Sequence, residues 1–162
     1  MGDADVDEKW SHYPETVLEF CVDPPVRVDL RRPVDADARA ELARLGLDAP
    51  FAVVTAENPE GDNAEDEGSE REARREEARN DHRTGGLLQE LERRRVSFVR
   101  VDGVSPDGRY RERCVAARLT RPDAVALARD FAQLALFWFD GDRFWLMPAE
   151  VDREPRPVPA RR

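Results

Sequence analysis

The side chains of this chain most suited to chemistry follow a short apolar run. Residues 51–54 are apolar, and Thr55, Glu57 and Asn58 come directly after them, before Pro59. A hydroxyl, a carboxylate and a carboxamide at the end of a strand can hydrogen-bond a ligand or take part in proton transfer. We therefore treat this strand end as the start of a candidate site.

Other polar residues extend the candidate site. Arg83 is suited to a bidentate grip on a carboxylate or phosphate, while asparagine and glutamine side chains both donate and accept hydrogen bonds. Glu57 and Glu112 could bind a divalent cation or share acid-base work. The same groups could instead form an Arg83–Glu112 ion pair and cap loops, with no ligand. The predicted ligand-binding residues are Thr55, Glu57, Asn58, Asn80, Arg83, Glu112 and Gln133.

Familiar catalytic signatures are missing from the sequence. It contains no Gly-x-x-x-x-Gly-Lys phosphate loop and no Gly-x-Ser-x-Gly elbow, and its two histidines cannot build a metal triad. We therefore assign no catalytic residue, no metal ligands and no cofactor.

Composition favours a single charged domain. The 162 residues carry a net charge of −9, and a chain of this length buries roughly 70% of its unfolded surface. Nucleic-acid binding requires a basic footprint and is disfavoured, and no apolar run is long enough for a membrane span. Cys21 and Cys114 lie in predicted strands and not in a C-x-x-C motif, which indicates buried thiols in a reducing cytoplasm.

The elements that must position the site can be predicted from periodicity. Alternation at 16–22 and 26–30 predicts a hairpin, followed by a helix that ends at Gly46. The strand at 51–55 precedes a helix that carries Asn80, Arg83, Leu87 and Leu91 on one face, although Gly85-Gly86 should weaken or kink it. Strands at 97–101 and 112–119, a helix from 121 and an aromatic hairpin at 134–147 complete the order.

This order predicts an α+β fold. From Phe51 to Phe139 it is the ferredoxin-like split βαβ arrangement, extended by the N-terminal hairpin plus helix and by the C-terminal aromatic hairpin. In that topology the strand at 51–55 lies antiparallel to the strand at 112–119. We therefore expect Glu57 and Asn58 to approach Arg111 and Glu112, with the turn at 106–108 closing over them.

The domain limits follow from charge and proline content. We expect a disordered acidic N-terminus at 1–12, a single α+β domain at 13–150 with a disordered acidic loop at about 60–72, and an unpacked Pro/Arg-rich tail at 151–162.

Three functions remain open on this reading. The first is a cytoplasmic domain that binds a small polar or anionic ligand at the end of the sheet. The second is an acidic interaction module in which residues 62–79 meet a basic partner and Trp138 or Trp145 contacts a protein. The third is a metal-dependent hydrolase that uses Glu57 and Glu112.

Five short motifs carry a family resemblance. The segment from Thr55 to Pro59, Asn80-x-x-Arg83, the turn at 106–108, Glu112 and Gln133-x-Ala135-x-Phe137 occur in an order that resembles the bacterial family called domain of unknown function 3293. The resemblance covers roughly residues 13 to 150. It implies no substrate, because that family has no established biochemistry.

Overall fold

The computed structural model describes residues 2–48, 50–58 and 70–160. These residues form four α-helices and eight strands, which makes the chain an α+β protein. The helices are α1 (Asp3–His12), α2 (Ala36–Arg44), α3 (Glu70–Arg93) and α4 (Arg121–Asp130), and a 3-10 turn spans Tyr13–Glu15. The strands are β1 (Val17–Phe20), β2 (Val26–Asp29), β3 (Phe51–Thr55), β4 (Phe98–Val104), β5 (Arg111–Ala117), β6 (Ala135–Phe139), β7 (Phe144–Pro148) and β8 (Arg156–Val158).

All eight strands join one antiparallel sheet in the order β2-β1-β4-β5-β3-β6-β7-β8. The predicted neighbour relation at its centre is present, since Thr55 of β3 pairs with Cys114 of β5. β3 therefore ends beside the beginning of β5.

The sheet is covered on both faces. Alternate residues of β3 enter two separate cores: Phe51 and Val53 pack on the face covered by α2, while Ala52 and Val54 pack under α3 and α4. A strand buried on both faces has no polar position, which explains its uninterrupted apolar sequence.

α3 runs without interruption through Gly85-Gly86. Leu87 and Leu91 are fully buried, and Gly86 lies against Phe131, where an added Cβ would sit 3.7 Å from the ring. Packing therefore offsets the low helix propensity of two glycines, about 2 kcal/mol against alanine.

The N-terminal segment differs from expectation. Residues 3–12, for which we expected disorder, form α1, whose first turn carries Asp3 and Asp5 where acids favour the helix dipole. Trp10 packs edge-on against Tyr13, and Asp7 forms an ion pair with Arg153 near the other end of the chain. These contacts give α1 partners that local composition does not reveal.

The C-terminal segment also differs from expectation. Within the tail that we expected to be unpacked, residues 156–158 add an edge strand to β7, and Val158 is buried. Proline is tolerated at a sheet edge because its missing N–H leaves no ladder bond unmade there. Of the acidic loop expected at about 60–72, residues 70–72 begin α3 and the rest lies outside the described residues.

The turn after α4 places an alanine in a left-handed conformation. Ala132 has φ +54°, and the following Gln133 N–H donates to the Ala128 carbonyl at 2.9 Å, as in a glycine-terminated helix. We expect Ala132→Gly to stabilise the protein by about 0.5 to 1 kcal/mol, because glycine adopts this conformation without a steric penalty. Urea denaturation measures the change.

The matched control makes the same substitution at an exposed helical position. Ala40→Gly in α2 should destabilise the protein by about 0.5 to 1 kcal/mol. If both variants lost stability equally, the conformation of Ala132 would not carry the expected penalty.

Candidate functional site

The end of β3 is fixed by the Thr55 hydroxyl. Thr55 Oγ1 donates to the carbonyl of Arg113 in β5 at 2.8 Å and accepts from the Glu57 N–H at 3.0 Å. One side chain thus joins the two strands and turns the backbone that follows. The two bonds place Glu57 beside β5.

Glu57 is a buried carboxylate, with 5% of the residue exposed. Its Oε1 pairs with Arg113 Nε and lies 3.5 Å from the Thr84 hydroxyl of α3. Its backbone carbonyl accepts a 2.9 Å bond from Gln133 Nε2, and Gln133 is equally buried. β5, α3 and the segment after α4 therefore all contact this residue.

Asn58 and Asn80 bind each other. The Asn58 N–H donates to Asn80 Oδ1 at 3.1 Å, and Asn80 Nδ2 donates to Asn58 Oδ1 at 3.3 Å. Asn58 has φ +47°, a left-handed conformation that asparagine tolerates better than most residues. The remaining Asn58 donor, Nδ2, reaches Glu112 Oε1 at 3.4 Å.

Arg83 completes the other end of this chain of bonds. Its Nη1 donates to Asn80 Oδ1 at 3.0 Å and to Glu76 Oε1 at 3.2 Å, and 28% of its side chain is exposed. Within residues 2–48, 50–58 and 70–160, Nε and Nη2 make no hydrogen bond. Arg83 and Glu112 therefore do not form the ion pair that the sequence analysis considered.

Glu112 has an unusual electrostatic setting. Burial, and secondarily the charge of Glu57, raise the pKa of Glu112 to about 7, while the Asn58 hydrogen bond acts in the opposite direction. Burial and the Glu112 charge together also raise the pKa of Tyr13, from the 3-10 turn after α1. The Glu112 carboxyl thus exchanges its proton close to neutral pH.

All seven predicted site residues are brought together, but one other expectation about this region, that Glu57 and Asn58 approach Arg111, is wrong. Arg111 does not join the network: it pairs with Asp102 at 2.7 Å and with Glu19 at 3.3 Å. In the turn at 105–110, Asp107 is held by Ser105 and by the Arg109 N–H. Closure of this turn over the site stays a prediction.

The sequence did not identify several members of the network. Arg113 binds both Glu57 and Asp81 Oδ1, the latter at 2.6 Å. Arg113 directly follows Glu112, so the alternation of side chains along β5 places it on the opposite face of the strand. That alternation was the signal available in the sequence. Tyr13, whose pKa the Glu112 charge helps to raise, gave no signal in the sequence, because the packing of the N-terminal segment brings it near Glu112.

Two findings on the described residues bear on a divalent-cation site. Among these residues, no three histidine, cysteine, aspartate or glutamate side chains form a group that could hold an ion. Glu57 Oε1 is already bound by a guanidinium, which would compete with a cation. Separately, none of the described helices is long and apolar enough to cross a membrane.

The fold and the network define a class, an α+β protein with a polar site where its central strand ends. The family model described as Protein of unknown function (DUF3293) matches residues 54–136, just over half of the chain, and the chain belongs to this family. The matched region includes all seven predicted site residues. No curated protein and no solved structure matches the chain.

The raised pKa of Glu112 makes stability depend on pH. Its folded pKa of about 7 exceeds the ordinary 4.5, so the folded state holds a proton that the unfolded state has lost between these values. Stability should therefore fall as pH rises from 4.5 through 7. Glu112→Gln removes this loss, and the variant should gain up to about 3 kcal/mol on the wild type between pH 4.5 and 8. Urea denaturation across this pH range measures it.

Glu90 provides a control of opposite sign. Arg93 and Arg94 lower the pKa of Glu90 to about 2, so its contribution is present above pH 4.5 and lost as pH falls towards 2. Glu90→Gln should be less stable than the wild type at neutral pH and should approach it in acid. If the free energy of unfolding depended on pH in the same way for Glu112→Gln and for the wild type, the raised pKa of Glu112 would be contradicted.

The Glu57–Arg113 pair should be required for stability. Arg113→Met leaves a buried carboxylate without its main partner and should cost about 2 to 3 kcal/mol. The double variant Glu57→Gln/Arg113→Met should recover most of this loss, because the buried charge is gone. Arg111→Met, on the same strand in a surface pair, should cost less than about 1 kcal/mol. Equal losses for Arg111→Met and Arg113→Met would refute the special role of Glu57.

Proposed function

We propose that the protein binds a small polar or anionic ligand at the polar network where β3 ends. The observation that carries this proposal is the continuous chain of side chains from Glu112 through Asn58 and Asn80 to Arg83. It presents a group that titrates near neutrality at one end and a partly exposed guanidinium at the other. Sites that combine a perturbed carboxyl with convergent polar groups are candidates for ligand binding.

Arg83 would hold the anionic part of the ligand. Both of its hydrogen bonds within the described residues use Nη1, which leaves the Nε–Nη2 edge for a bidentate contact with a carboxylate or phosphate. Because Glu76 and Asn80 fix the guanidinium, less side-chain freedom is lost on binding. The geometry of Arg83 therefore favours an anionic over a purely neutral ligand.

Glu112 would interact with a polar group of the same ligand. Below pH 7 its carboxyl is protonated and can donate a hydrogen bond, whereas above pH 7 it only accepts. Asn58 and Asn80, which already donate and accept, would orient that group. No residue is assigned a catalytic role.

The acidic interaction module has less support in the described residues. The exposed start of α3, residues 70–79, carries four acids and four arginines, and these charges pair within the helix, as in Arg74–Glu70 and Arg79–Glu76. This part of the predicted interaction segment is therefore charge-balanced. The acids between residues 60 and 67 lie outside the described residues, so the module stays a prediction.

We also propose a ferredoxin-like core at residues 51–139 and a cytoplasmic location. The strand order β4-β5-β3-β6, with α3 and α4 packed on one face, supports the first. Cys21 and Cys114 are free thiols, which a reducing compartment maintains, and this supports the second, although Cys21 is exposed and not buried as expected. Comparison with an experimental structure tests the ferredoxin-like core. Thiol labelling of the protein in intact cells tests the cytoplasmic location.

The ligand proposal is tested by thermal shift with citrate, inorganic phosphate, nucleotides and free amino acids as probes. A probe at a hundred times its dissociation constant stabilises the folded state by about 2.7 kcal/mol, which raises the melting temperature by several degrees. We expect at least one anionic probe to stabilise the wild type and not Arg83→Ala.

Arg79→Ala is the matched control. Arg79 lies on the same helix and binds the same Glu76, but within the described residues its guanidinium makes no hydrogen bond to the Asn80 side chain. This variant should keep the full ligand response. If Arg83→Ala responded like Arg79→Ala, or if no probe stabilised the wild type, the anionic site at Arg83 would be refuted.

A further inference from the structure

A second polar and aromatic cluster lies away from the network. Trp138 of β6 and Trp145 of β7 are directly opposite each other in the sheet, on the face that carries α4. Together they form part of a cleft of about 220 Å³, whose lining is completed by Arg121, Asp140, Met147 and Pro155. None of these residues belongs to the seven predicted site residues. The cleft is therefore independent of the function proposed above.

The carboxylate of Asp140 is held in a fixed orientation at this cleft. Its Oδ2 accepts from Trp145 Nε1 at 2.8 Å, and its Oδ1 accepts from the backbone N–H groups of Asp142 and Arg143, both at 2.8 Å. Burial opposes ionisation, but the hydrogen bonds from Arg143 and Trp145 lower the pKa of Asp140. Asp140 is thus a charged acceptor, and Oδ2 has capacity for one more donor.

Two arginines near the cleft differ in their partners. The Arg143 guanidinium lies over the Trp145 ring, 5.6 Å from its centroid, and Nη2 donates to the Pro159 carbonyl at 3.1 Å. Arg121 at the start of α4 is exposed and makes no side-chain hydrogen bond or ion pair with the described parts of the chain. Arg121 is therefore the cation available to an incoming anion.

We propose that this cleft binds a planar heteroaromatic ring that has N–H donors on one edge and carries an anionic group, the chemistry of a guanine nucleotide. The ring stacks on the indole surface, its exocyclic amino group donates to Asp140 Oδ2, and the phosphate binds Arg121. Each part of the ligand meets one feature of the cleft. A neutral apolar ligand would leave Asp140 and Arg121 unused.

The size and charge of the molecule indicate a single nucleotide and not a nucleic acid. A cleft of about 220 Å³ is smaller than the roughly 300 to 1,000 Å³ of sites that enclose drug-sized ligands, so it holds one ring system with the phosphate at the rim. The net charge of −9 repels a polyanion. The single phosphate of a mononucleotide, paired with Arg121, avoids the repulsion that a polyanion would meet.

Intrinsic fluorescence tests the proposal, because the chain has only three tryptophans. In a Trp10→Phe background, emission comes from Trp138 and Trp145 alone. Guanosine 5′-monophosphate should quench this emission saturably. Guanosine, which lacks the phosphate, should bind about tenfold more weakly, as should inosine 5′-monophosphate, which lacks the amino group.

Two charge-matched variants separate a built site from general attraction. Arg121→Gln should weaken the binding of guanosine 5′-monophosphate about tenfold and leave guanosine unchanged. Arg118→Gln removes an exposed arginine three residues away, outside the cleft, and should change neither ligand. The melting temperature of each variant should match that of the parent protein, which checks that both variants are folded.

Three results would overturn the inference. The first is the absence of saturable quenching by guanosine 5′-monophosphate. The second is an equal loss of affinity in the Arg118 and Arg121 variants, which would show unspecific charge attraction. The third is equal affinity for the guanine and inosine nucleotides, which would remove the role of Asp140. The response to Arg83→Ala is separate, because Arg83 does not line this cleft.

Discussion

Burial of the Glu57 carboxylate is the constraint on which the arrangement of the site depends. A charge with so little access to water needs compensating partners, and here they come from β5 through Arg113 and from α3 through Thr84. Gln133 after α4 binds the carbonyl of the same residue. Three segments distant in sequence are thus drawn to the end of β3. The contacts of this one residue therefore hold the elements that carry the polar network in place.

The alternation of β5 divides the charges between two faces of the sheet. Arg113 points towards α3 and neutralises Glu57, whereas its neighbour Glu112 points to the face on which Tyr13 and Cys114 pack. No guanidinium pairs with Glu112 within the described residues, so burial and, secondarily, the charge of Glu57 raise its pKa to about 7. Asn58 connects the two faces through its bonds to Asn80 and Glu112.

Local signals in the sequence predicted much of the site, and long-range packing decided the rest. Asn80 and Arg83 share a helix face because they are three residues apart, and Thr55 meets β5 because the strand order requires it. Tyr13 was missed because no spacing in the sequence links position 13 to position 112, and Arg113 was missed because only the alternation along β5 places it on the face of Glu57. The helix at 3–12 and the strand at 156–158 were missed for the same reason: acidic and proline-rich composition hid contacts made far along the chain.

Two residues next to the Glu57–Gln133 bond have strained, left-handed backbone conformations. Asn58 and Ala132 both have positive φ, and each adjoins a residue of the Glu57–Gln133 bond. Such conformations cost about 1 to 3 kcal/mol and persist only where the surroundings enforce them. At Ala132 the turn brings Gln133 beneath Glu57, and at Asn58 it directs the carboxamide towards Asn80 and Glu112. Ala132 also ends α4 in the way that Arg95, with φ +57°, ends α3, so a helix ending accounts for its bend. Asn58 ends no helix, and its bend is enforced instead by the bonds of its backbone and side chain to Asn80 and Glu112.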